Sequence, residues 1–125
     1  MPELPEVETI RRCIAPRISG ATITRVVVRN PNLRFQVATD LPQELEGRRI
    51  TAVDRRAKYL LLKLDRGTLI VHLGMTGRLV LDPAASRPAR HDHVELALDN
   101  GRLLRLNDSR RFGCVLWTEG SPLLH

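Results

Sequence analysis

The first eight residues, Met1-Pro2-Glu3-Leu4-Pro5-Glu6-Val7-Glu8, place a proline directly after the initiator methionine and crowd carboxylates behind it. Methionine is cut off when the next residue is small, and proline qualifies; what remains is a secondary amine at the chain terminus. An α-amino group titrates near ~7.7–8.0 and lysine near ~10.4, so far more of the terminal amine is the neutral nucleophile at pH 7. Its attack on a carbonyl-like carbon gives an iminium, an electron sink that drives elimination at the neighbouring carbon. Glu3 and Glu6 lie beside it at the start of a helix, where unpaired N–H groups and the helix dipole stabilise carboxylates; each could act as a general acid or base. The same residues have a purely structural use. Pro5 and the glutamates suit a first helical turn, and Pro2 merely follows a start codon.

The element that must carry these groups is legible next to them. Val7, Ile10, Ile14 and Ile18 recur at steps of three and four, predicting a helix from about residue 5 to 18 with one apolar stripe, stopped by Gly20. Beyond it the pattern changes to that of strands, at 21–29, 49–54, 58–64, 68–73, 78–82, 93–98, 102–107 and 114–118. Asp65-Arg66-Gly67 and Asp99-Asn100-Gly101 read as hairpin turns, Asp40 as the N-cap of a short helix, and 83–90 as an exposed loop. One helix and about eight strands predict an α+β, mainly β fold: an antiparallel β-sandwich flanked by the N-terminal helix.

Composition narrows the class. The chain has 125 residues and a formal charge of +6, and of its 20 basic residues only Lys58 and Lys63 are lysine. A surplus of arginine suits a polyanionic partner, and equally a coding bias on a solvated surface. No apolar run approaches the ~20 residues of a membrane span and no signal peptide is evident, so the expected location is the cytoplasm. Cys13 and Cys114 stand far apart and outside any C-x-x-C pair, which predicts two buried free thiols. His91-Asp92-His93 could put two imidazoles on one face of a strand, but two ligands are too few, and no metal site is assigned.

Five blocks carry a family resemblance: MPELPEVETIRR, RRAKYLLLKL (55–64), HLGMTGRL (72–79), RHDHVEL (90–96) and DSRRFGCVLW (108–117). In type and order they resemble the N-terminal domain of the formamidopyrimidine-DNA glycosylases, bacterial base-excision repair enzymes that remove oxidised purines. The resemblance implies that Pro2 is the nucleophile attacking C1′ of the damaged nucleotide, that Glu3 is the acid/base for base loss and sugar ring opening, and that Glu6 is a supporting carboxylate. Lys58 matches the lysine assigned to proton donation in β-elimination and to a phosphate contact; read alone, it is a strand-end lysine facing water.

Met75, Arg110 and Phe112 resemble the wedge that fills the gap left by the flipped base and probes the partner base, and the resemblance implies that His72, His91, Arg110 and Arg111 contact phosphates or the opposite strand. Read alone, Phe112 is equally a core residue opening the last strand. Leu4 and the Met/Arg/Phe set resemble the oxidised-purine branch rather than the endonuclease VIII type, which typically has glycine at that position. The implied activity is N-glycosylase plus AP lyase, the implied partner damaged double-stranded DNA, and the expected state a monomer. A helix-two-turn-helix segment and a zinc finger, which complete the family's enzymes, are not among these residues, so zinc belongs to those further segments and the chain alone is expected to be weak or inactive. The other reading is a non-catalytic basic β-domain that binds nucleic acid or a partner subunit.

Overall fold

The computed structural model describes residues 4–119. Apolar steps of three and four wind the start of the chain into α1, Leu4–Ile18, whose Val7, Ile14 and Ile18 are buried, with Ile10 half-buried beside them. Eight strands follow: β1 (Ile23–Val28), β2 (Ile50–Arg56), β3 (Tyr59–Leu64), β4 (Thr68–His72), β5 (Arg78–Pro83), β6 (Asp92–Leu98), β7 (Arg102–Asn107) and β8 (Cys114–Thr118), with α2 (Leu41–Leu45) between β1 and β2. They pair antiparallel in two four-stranded sheets, ordered β1-β6-β7-β5 and β2-β3-β4-β8. This is the expected sandwich with its flanking helix. The period of two turns Leu60, Leu62 and Leu64 of β3 and Val94, Leu96 and Leu98 of β6 into one shared core, where each such side chain contributes about 1.5–3 kcal/mol.

Only β2–β3, β3–β4 and β6–β7 are hairpins of sequence neighbours. Among the described strands the chain changes sheet three times, between β1 and β2, between β4 and β5 and between β7 and β8, and the short connections 73–77 and 108–113 both run between the two sheets. Such crossings follow from how the sheets pack, which no local turn signal reports.

Several local expectations are corrected. Asp40 does occupy the N-cap position of α2, but its side chain makes no capping bond; Glu44 N–H donates to the Asp40 carbonyl instead, at 3.0 Å. Cys114 is buried, whereas Cys13 is exposed, because it lies off the Val7–Ile14–Ile18 stripe and faces an open groove between α1 and β5. Lys58 stands in the β2–β3 turn rather than on the strand, next to Ala57 at φ +50°. The 83–90 loop is mostly exposed, yet it is pinned from below: Arg105, 1% exposed, donates to the Ser86 hydroxyl and carbonyl, both at 2.8 Å, and to Glu95 at 2.8 Å.

Candidate nucleic-acid interface

Strand β4 ends on His72, whose cross-strand neighbour on β3 is Tyr59, one residue after Lys58. The two rings lie 4.9 Å apart. His72 Nδ1 accepts the Gly74 N–H at 3.0 Å, which leaves the proton of a neutral ring on Nε2. Burial first, then the nearby charges of Arg34 and Lys58, hold this imidazole below the usual histidine pKa. Lys58 is itself half-buried.

From His72 the chain turns sharply through Gly74, at φ +61°, to reach Met75. A Cβ on Gly74 would lie 2.6 Å from both the Gly113 nitrogen and the Phe112 carbonyl carbon, so this turn and the 108–113 connection pack backbone against backbone. Gly113 is equally confined, since a Cβ there would lie 2.6 Å from the His72 carbonyl oxygen. Asp108 locks the two connections together. It is fully buried; its Oδ1 accepts the Thr76 hydroxyl at 2.7 Å and the Arg111 N–H at 3.1 Å, and its Oδ2 accepts the Gly113 N–H at 2.8 Å. The Arg110 N–H donates in turn to the Thr76 hydroxyl at 3.3 Å.

With their backbones held this way, Met75 stays 48% and Phe112 42% exposed, and the Arg110 guanidinium sits 5.0 Å above the Phe112 ring. Phe112 is therefore not a core residue. His91 joins from the other side: its carbonyl accepts the Asp108 N–H at 3.1 Å, and its ring lies 5.9 Å from that of His93. His93 Nε2 meets the Asp108 carbonyl at 2.7 Å, so one nitrogen of the supposed pair is already engaged. His91 precedes β6 with φ +71°, which takes it out of strand alternation. Among the described residues no three His, Cys, Asp or Glu gather as metal ligands, and Cys13 and Cys114 lie on separate elements, so these residues offer no zinc set.

The N-terminal half of α1 is tied to the Lys58 turn. Glu8 accepts from Arg11 at 2.7 Å, from Arg12 at 2.8 Å and from Arg55 at 3.0 Å, and Arg55 donates onward to the Ala57 carbonyl at 3.0 Å. Hydrogen bonds from Arg11 first and Arg55 next hold the Glu8 carboxyl well below the usual carboxylate range. Glu6 is exposed on the first turn of the same helix. Pro2 and Glu3 lie outside the described residues.

Lys58, His72, Met75, His91, Arg110, Arg111 and Phe112 thus sit on the β2–β3 turn, the connections 73–77 and 108–113 and the ends of β4 and β6. Sequence reasoning missed Asp108, the residue that holds these connections in place, and Phe35, which is 53% exposed on a loop bonded to Gly113 through the Arg34 N–H at 3.1 Å. An arginine–phenylalanine pair occurs at both 34–35 and 111–112, and that repeat was the available signal for Phe35.

Comparison with known proteins agrees on one family. The family model for the formamidopyrimidine-DNA glycosylase N-terminal domain matches residues 1–115. A formamidopyrimidine-DNA glycosylase of Marinobacter nauticus is 61% identical over 118 residues, 94% of this chain and 44% of that protein. One of Geobacter sulfurreducens is 54% identical over 125 residues, all of this chain and 46% of that protein. The Lactococcus lactis Fpg in complex with FAPY-dG-containing DNA is similar at TM-score 0.85 and 34% identity, over 92% of this chain and 43% of that one. The same protein with abasic-site DNA gives TM-score 0.85 and 34% identity, over 93% and 43%. The chain therefore spans about half the length of the curated relatives it matches, and on the strength of the family model, the identity and the shared fold it belongs to the formamidopyrimidine-DNA glycosylase family.

Proposed function

We propose that this chain carries the chemical half of a base-excision repair enzyme that removes oxidised purines, 8-oxoguanine and formamidopyrimidines, from double-stranded DNA and then cleaves the abasic site as a lyase. The observation that carries this reading is the rim on which Met75, Arg110 and Phe112 are held exposed by a buried Asp108, beside Lys58 and a neutral His72. Leaving two large apolar groups in water is unfavourable unless something covers them, and an apolar plug with a guanidinium matches the space a flipped nucleotide vacates. A neutral His72 whose Nδ1 is occupied presents its Nε2–H, a donor suited to a phosphate oxygen.

In this reading the Pro2 amine attacks C1′, the base leaves with a proton assisted by Glu3, and the resulting iminium acidifies the C2′ proton. Loss of that proton expels the 3′ phosphate, with Lys58 handling proton transfer and Glu6 supporting the pocket. The work site is the bacterial cytoplasm, where the DNA is, and the chain acts as a monomer. Among the described residues no helix is long and apolar enough to cross a membrane. Flipping a base costs a few kcal/mol, which backbone contacts along the bent duplex must offset. This chain covers under half of its relatives, so alone it should retain at most residual lyase activity on preformed abasic sites and little excision of 8-oxoguanine.

Borohydride reduction with an abasic duplex tests the chemistry, after intact mass has established that Met1 is gone. The expected adduct maps to residue 2. An adduct at Lys58 or Lys63, or one equally strong in Pro2→Gly with a blocked N-terminus, overturns the assignment and favours a non-catalytic basic domain.

A further inference from the structure

We propose that the loop 30–36 is an additional DNA-binding element, with Arg34 on a backbone phosphate and the Phe35 ring against the sugar and base faces of the strand that passes the Met75–Phe112 rim. This rests on the DNA-repair reading above and extends it to residues that reading does not use.

The loop is built to hold its tip outward. Leu33 (8% exposed) and Val37 (1%) anchor it in the core, Leu33 and Val37 N–H groups both donate to the Pro31 carbonyl at 3.0 and 2.8 Å, and Asn32 and Gln36 pair across it as an isolated bridge. The Asn30 side chain accepts the Asn32 N–H at 3.0 Å. Between those anchors Phe35 is left 53% exposed, more than any other large apolar residue described, with the Arg34 guanidinium 5.8 Å from its ring centroid. A phenylalanine between two buried anchors in a braced loop is not frayed chain; it is an apolar ring held in water.

Its neighbours say what would cover it. The Arg34 N–H donates to the Gly113 carbonyl at 3.1 Å and Arg111 reaches the Asn32 carbonyl at 3.4 Å, so the loop is fastened to the connection that carries Arg110 and Phe112. The positive charge of Arg34 is felt at both His72 and Cys114. Arg34, Lys58, Arg110 and Arg111 thus gather about one edge, and an arginine beside an exposed aromatic is the pairing that takes a phosphate and the flat face of a sugar or base together. A protein partner with an apolar patch would meet this concentration of positive charge without compensation, whereas a nucleic-acid strand supplies the complementary charge.

The test is binding of the 125-residue chain to a short duplex with a central tetrahydrofuran abasic analogue and to its intact counterpart, by fluorescence anisotropy between about 25 and about 150 mM salt. Arg34→Gln should weaken binding to both duplexes about threefold or more and flatten the plot of log K against log salt by about 0.9. Phe35→Ala should weaken both by about threefold to tenfold with the slope unchanged. Arg66→Gln, which removes the same charge from the far end of the β3–β4 hairpin, should stay within about twofold of wild type. Arg34→Gln behaving like Arg66→Gln, or Phe35→Ala altering only self-association in sedimentation, overturns the proposal while wild-type binding leaves the DNA reading standing. Absence of wild-type binding at the lowest salt overturns the DNA reading itself, and the proposal with it.

Discussion

The Thr76 hydroxyl donates to the Asp108 carboxylate at 2.7 Å, joining two connections that are 32 residues apart in sequence and lie on different crossings between the sheets. Because Asp108 also takes the N–H groups of Arg111 and Gly113, one buried side chain fixes the position of the whole 110–113 segment relative to the Met75 turn. Thr76→Val removes the hydroxyl from Asp108 and from the Arg110 N–H at once. It should cost about 0.5–1.5 kcal/mol in thermal or chemical unfolding. Its effect on binding should fall on the lesion duplex more than on the intact one, because the proposed wedge would act only once the base has left the stack. Asp108→Ala strands the buried Gly113 N–H as well and should cost about 2–4 kcal/mol. Equal losses on both duplexes for Thr76→Val would mean that the bond supports the fold and not the wedge.

The close approach at Gly74 gives a prediction that separates backbone strain from collision. Gly101, at φ +82°, has nothing within 4 Å of an added Cβ, whereas at Gly74, φ +61°, that Cβ would lie 2.6 Å from Gly113 and Phe112. Gly101→Ala should therefore cost only the left-handed strain, about 1–2 kcal/mol. Gly74→Ala must also push the facing backbone segments apart and should cost clearly more, with Phe112 displaced. Denaturant midpoints for the two variants check this directly, and equal costs would show that the turn can yield.

The helix, the strands and the sandwich were legible in the sequence because each depends on a local period: the stripe from Val7 to Ile18, the alternation in β3 and β6, and the turn at Asp99-Asn100-Gly101. The hairpin turn does more than its signal suggests, since Asn100 and Arg102 both donate to the Arg17 carbonyl at 2.9 Å and so close the end of α1. What was not legible depends on residues far apart in the chain. Glu95 and Arg105 are charged residues inside strands, yet both are almost wholly buried and paired at 2.8 Å. Burial pushes the Glu95 carboxyl up, and the hydrogen bonds and charges of Arg105 and Arg29 more than reverse it, so its pKa ends below the usual value. The five motif blocks name a candidate set of site residues, but not the support of those the structure describes: a lone aspartate before Ser109 gives no local sign that it will meet Thr76 and Gly113.

His72 should report acid conditions. Burial and the charges of Arg34 and Lys58 place its folded-state pKa below the ordinary histidine value of about 6.5, so the unfolded chain binds the extra proton first. The neutral-ring contribution to stability is thus complete above about pH 6.5 and is lost as pH falls toward the depressed folded value. Protonation also puts a hydrogen on Nδ1, which can then no longer accept the Gly74 N–H. An NMR titration should find the His72 midpoint below about 6.5, and His72→Gln should remove some of the stability loss in that window. A midpoint above the ordinary value would show that the ring's surroundings favour the cation.

The division of labour between Phe112 and Arg111 gives the last prediction. Phe112 is 42% exposed under the Arg110 guanidinium, so truncating it removes little of the core, and Phe112→Ala should change stability by less than about 1 kcal/mol. A ring that fills a vacated stack matters only after a base has left, so the same variant should lose affinity for abasic-analogue DNA while binding intact duplex nearly as before. Arg111 is exposed, with its guanidinium near the loop that carries Asn32 and its N–H on Asp108, and a guanidinium offered to phosphates acts on every sequence alike. Arg111→Ala should therefore weaken both duplexes together and lower the salt slope by about 0.9. Measuring both variants on both duplexes across salt decides the assignment: parallel losses for Phe112→Ala would make the ring a general contact, and a lesion-only loss for Arg111→Ala would move the reading of the damaged site onto the arginine.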